Sequence, residues 1–77
     1  MRNDIYLNAK SLIKSEAKTL KAQSNDKGYI RQELNNQLDN MCRQFNYHAM
    51  KGTISEKQAV LYSVWLASFT ADMHPKN

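Results

Sequence analysis

Seventy-seven residues with one cysteine, one proline and two glycines make one small domain. A chain of this size buries only about 60% of its unfolded surface, and it lacks the disulfide pair or the Cys/His zinc spacing that staples many such chains. The formal charge is +4, and all of the excess lies in residues 1–31, where seven basic side chains stand against three acids, while residues 32–77 carry four of each.

The first helix is predicted over about 4–22, capped by Asn3 or Asp4. Ile5, Ala9, Leu12, Ile13, Ala17 and Leu20 recur at spacings of three and four and make one apolar face. Glu16 projects into that face between Leu12 and Leu20, so its carboxylate must reach the rim or find a basic partner. Lysines interrupt the stretch where a secretory leader would need an apolar run, so a cytoplasmic location is expected. Beside the apolar face stand Lys10, Lys14, Lys18 and Lys21, with no acid interleaved along the row. Like charges at i,i+4 cost a helix about 0.2–0.5 kcal/mol per pair. The row is therefore either a solvated face or a contact for an anionic partner.

Gln23–Gly28 reads as a turn, since Ser, Asn, Asp and Gly bond their own backbone or tolerate positive φ. A second helix is predicted over about 29–51. Its seam is Ile30, Leu34, Leu38, Met41, Phe45 and His48 or Ala49, at near-heptad spacing. Its other face is mostly amide, from Gln32 to Asn46. Lys51-Gly52 is a helix stop.

The third helix is predicted over about 55–73, and the rest of the chain must be arranged around it. Ala59–Ala71 contains no charge, glycine or proline and is too long for a strand. Ser55-Glu-Lys-Gln58 fits a capping box, with Ile54 placed to staple onto Ala59, and Pro75 forbids continuation. A membrane span needs about 20 apolar residues; this run is shorter, holds Ser63, Ser68 and Thr70, and has Lys57 and Asp72 near its ends. No membrane association is expected. Leu61, Tyr62, Trp65, Leu66, Phe69 and Met73 form a large face suited to a core. Val60, Ser63, Val64, Ala67 and Ala71 belong to a smaller face that admits another backbone, either inside the chain or in a homodimer. The expected fold is all-α, an antiparallel three-helix bundle running up-down-up.

Catalytic chemistry finds no support. Cys42 and His48 are six apart on one helix and point in different directions, as do Glu33 and Asp39, and no glycine-rich phosphate loop exists. Asp72 and His74 are too few to hold a metal. No catalytic residue, metal or cofactor is expected. The sequence instead suggests a binding protein, a regulator or inhibitor that docks on an acidic protein surface through Tyr6, Leu7, Lys10, Lys14, Lys18 and Lys21. The alternative is a nucleic-acid accessory protein that sets the same lysines, with Arg2, Lys27 and Arg31, on phosphates. Helices two and three have helix-turn-helix spacing, but helix three offers base edges almost nothing polar beyond Ser55–Gln58.

Overall fold

The computed structural model describes residues 3–76. They form α1 (Asn3–Gln23), α2 (Lys27–Met50) and α3 (Glu56–Met73), each in contact with the other two, with no strand among the described residues. The result is the compact three-helix bundle that the periodicity predicts, a rod of 41 × 17 × 16 Å.

Local chemistry sets the ends. α1 is already helical at Asn3, so its cap lies outside the described residues. The first connection is shorter than the predicted six-residue turn, because the Asp26 carboxylate accepts from the Tyr29 backbone N–H at 3.0 Å and starts α2 at Lys27. α2 ends in a Schellman motif: the Thr53 N–H donates to His48 O at 2.9 Å and the Gly52 N–H to Ala49 O at 3.1 Å. Gly52 has φ 81°, a conformation that glycine adopts without strain. α3 opens on the capping box. Gln58 N–H donates to Ser55 Oγ at 3.0 Å, and Ser55 N–H donates to Gln58 Oε1 at 2.8 Å. Ile54 is buried with Ala59 in the same cluster, as a hydrophobic staple requires. Ser55→Ala is expected to cost about 1 kcal/mol and to lower the thermal midpoint by roughly 4–8 °C, measured by circular dichroism.

The core lies along two connected clusters. Ala9, Ile13, Phe45, Ile54, Ala59, Tyr62 and Leu66 form the larger one, and Ala17, Leu20, Ile30 and Leu34 continue it toward the other end, with Met73 packed against both. α2 turns its predicted seam inward, with Ile30, Leu34 and Phe45 fully buried. α1 buries Ala9, Ile13, Ala17 and Leu20, but Leu12 stays 55% exposed. It stands at the edge of that face, over a groove of about 460 Å³ that it lines with Ile5, Met41 and His48. Glu16 is half-buried, and its carboxylate accepts from the Gln37 amide of α2 at 3.3 Å, so it meets a neutral donor rather than a base.

α3 departs most from the expectation. Its buried line is Ala59, Tyr62, Leu66 and Thr70, which runs between the large and small faces. Thr70 is fully buried because its hydroxyl donates to Leu66 O at 2.7 Å and needs no outside partner. Leu61 and Trp65, expected in the core, are 37% and 47% exposed. Two amphipathic helices cover one side of a third, and the remaining apolar side chains of α3 face outward.

Past α3 the chain is tied back to the start of α2. Arg31 Nη2 donates to Pro75 O at 2.9 Å and Lys27 Nζ to Lys76 O at 2.6 Å.

Candidate functional site

Three observations single out the surface shared by α1 and α3. The first is an aromatic chain running from the core to solvent. Phe45 meets Tyr62 edge-on at 5.6 Å between ring centroids; Tyr62 lies 5.5 Å from Tyr6 and 5.9 Å from Trp65; Tyr6 and Trp65 form a T-shaped pair at 5.6 Å. Such pairs contribute about 0.5–1.5 kcal/mol beyond their area. Trp65 is therefore held in place from beneath although nearly half of it is exposed.

The second is the placement of the lysine row. Lys10 Nζ lies 4.9 Å from the centroid of the Phe69 ring, a cation–π contact that half-buries the side chain against α3. This contact and the Tyr6–Trp65 pair fix α1 parallel to α3. Lys14, Lys18 and Lys21 follow on the same side of α1 and are exposed. Leu7, two turns before Lys14 on that side, is 54% exposed.

The third is what the surface lacks. From Gln58 to Ala71, α3 carries no charged residue. Leu61 and Trp65 on α3 and Leu7 on α1 are the exposed large apolar side chains on this side of the bundle, and Lys14, Lys18 and Lys21 are its exposed cations. Of the six residues that the sequence singles out for a partner, Leu7, Lys14, Lys18 and Lys21 stand exposed here, whereas Tyr6 and Lys10 are half-buried and hold α1 against α3. Trp65 belongs to this surface as well, although sequence reasoning assigns it to the core. A large aromatic ring at a core-compatible wheel position carries no signal that it faces solvent.

Two residues of the wider basic set are engaged by the end of the chain. Lys27 and Arg31 point to the carbonyls of the tail, and Arg2 lies outside the described residues. The other singled-out group, Val60, Ser63, Val64, Ala67 and Ala71, faces away from α1. Val60 and Val64 are 62% and 60% exposed, Ala67 and Ala71 are also exposed, and Ser63 is half-buried.

Elsewhere, Cys42 is half-buried on α2 while His48 lines the α1–α2 groove with Asn8 and Gln44. Among the described residues no three His, Cys, Asp or Glu side chains are grouped so as to hold a metal ion, and no helix is long and apolar enough to cross a membrane. No protein-family model, curated protein or solved structure matches this chain.

Proposed function

We propose that the chain is a non-enzymatic cytoplasmic docking protein, a regulator or inhibitor that acts by binding a partner protein through the α1–α3 surface. The observation that carries this reading is the exposure of Trp65 and Leu61 next to an unbroken lysine row. Exposed apolar side chains on an uncharged stretch of α3, beside the lysines of α1, match the anatomy of a protein interface: an apolar centre and a polar rim. Tryptophan is among the residues that most often dominate such interfaces. The complementary partner presents an apolar patch bordered by Asp and Glu, and the lysines accelerate the encounter and fix its orientation.

The nucleic-acid reading rests on the same lysines. With Lys10 against Phe69 and Lys27 and Arg31 on the tail, three lysines of the row remain exposed. Three phosphate contacts imply a log–log salt slope of about −2.7, hence roughly a fortyfold loss of affinity between about 50 and 200 mM salt. The outward residues of α3 are Val60, Leu61, Val64 and Trp65, which have nothing to offer base edges beyond apolar contact.

Two titrations separate the readings. A synthetic amphipathic helix with Glu on one face and Leu on the other should shift the backbone amides of Leu7, Lys14, Lys18 and Trp65 in a two-dimensional NMR spectrum. Labelled duplex DNA should show no anisotropy change at physiological salt. DNA binding with the slope above, and no peptide-induced shifts, would replace protein docking with phosphate binding.

A further inference from the structure

One acid interrupts the basic side of the bundle. Asp72 is the only acid of α3 past its first turn, and it is exposed. It follows Trp65 by seven residues, two turns along one line of the helix. Trp65 meets Tyr6 of α1, and Phe69, about one turn before Asp72, meets Lys10. From that second contact Asp72 is three residues on and Lys14 is four, about 4.5 and 6 Å along helices that run in the same direction. The carboxylate of α3 and the ammonium of α1 therefore stand level on either side of the α1–α3 seam.

Nothing inside the chain rewards an acid there. Asp72 lies in the last turn of α3, where the helix dipole favours cations. Its side chain makes no hydrogen bond or ion pair among the described residues, and neither does that of Lys14.

The effect of Asp72 falls on whatever approaches the lysines. A nucleic-acid backbone brings negative charge to every position along its length. It gains Lys14, Lys18 and Lys21 and meets Asp72 in the same approach. A folded protein can set an acid and a base side by side. We infer that Asp72 is the specificity residue of this surface: it turns polyanions away from the lysine row and selects a docking protein that places a basic side chain beside its acids. The inference rests on the protein-docking reading and names the charge pattern that the partner carries. Repulsion of the wrong ligand, added to attraction of the right one, separates ligands that attraction alone would not.

The test compares Asp72→Asn with Asp39→Asn. Both remove one negative charge, but Asp39 is on α2, exposed and paired with Arg43. Binding of labelled duplex DNA is read at about 50 mM salt, where charges are screened beyond roughly 14 Å, less than the thickness of the rod. Asp72→Asn should bind about fivefold more tightly than the parent, and Asp39→Asn within about twofold of it. A neutral side chain suits the end of α3 better than a carboxylate, so Asp72→Asn melts no lower than the parent.

A second measurement uses the synthetic helix with Glu on one face and Leu on the other, with lysine placed at each Glu position in turn. One of these peptides should bind the parent about fivefold more tightly than the all-Glu helix and lose that advantage against Asp72→Asn. Equal DNA affinities of the two Asn variants, or a lysine scan that reads the same in the parent and in Asp72→Asn, overturn this inference alone when the all-Glu helix still shifts the amides of Leu7, Lys14, Lys18 and Trp65. If that helix shifts none of them, the docking reading falls and this inference falls with it.

Discussion

Phe45→Ala is expected to remove about 3–5 kcal/mol of the chain's stability and to lower its thermal midpoint steeply. Phe45 is 1% exposed and joins the three helices. Its cluster contains Ile13 of α1 and Tyr62 and Leu66 of α3, and its ring meets Tyr62 edge-on. Removing a buried phenylalanine costs about 3–5 kcal/mol, the lost transfer energy plus the cavity left behind. At roughly 0.05–0.15 kcal/mol per residue, a chain of this length holds only about 4–12 kcal/mol in total. The thermal midpoint should fall by at least about 12 °C, followed by loss of the 222 nm ellipticity on heating. Leu12→Ala is the informative control. Both residues are apolar and on helical seams in the sequence, but Leu12 is 55% exposed, and its truncation should cost less than about 1 kcal/mol. Equal losses for the two variants would mean that the packing of α1 on α2 has been misassigned.

Lys14→Glu combined with Lys18→Glu is expected to weaken partner binding by about a hundredfold or more while leaving the fold intact. Two reversals convert attraction to an acidic rim into repulsion, and like-charge juxtaposition across an interface costs several kcal/mol. Both side chains are exposed and neither takes part in the contacts that hold α1 to α3. In the double variant the carboxylate at position 14 stands four residues from Lys10, and the one at position 18 stands three from Lys21. These favourable pairs offset the new repulsion between positions 14 and 18 within α1. An unchanged melting curve with lost binding is the expected signature. Unchanged binding would remove the lysine row from the interface.

Much of the fold is legible in the sequence because its signals are local. Ser55 with Gln58, and Lys51 with Gly52, mark helix ends by chemistry confined to a few residues, and the structure shows the corresponding bonds. The seam of α2 is legible because the amides on its opposite face leave a single apolar line. Asp26 shows where such reading falls short: the stretch contains several turn formers, Ser24, Asn25 and Asp26, and which one caps the helix depends on which side-chain oxygen reaches an N–H. α3 cannot be read in the same way. It is apolar nearly all round, so periodicity gives no inner face, and packing against α1 and α2 decides. Tyr62 goes inward onto Phe45 while Trp65 moves to the rim against Tyr6. The lysine row is visible at once in the sequence, but its division is not. That Lys10 leans on Phe69 and that Lys27 and Arg31 hold the tail are contacts between residues far apart in sequence.

The most direct test places a photo-activated benzophenone amino acid at position 7, where Leu7 stands exposed beside the lysine row, and a control at Asn36 on the exposed amide face of α2. The chain is then irradiated in extract of cells that produce it. One discrete protein adduct is expected at position 7, lost with the Lys14→Glu and Lys18→Glu reversals, and none at position 36. An adduct to nucleic acid at position 7, or a protein adduct that survives both reversals, would contradict protein docking through this surface.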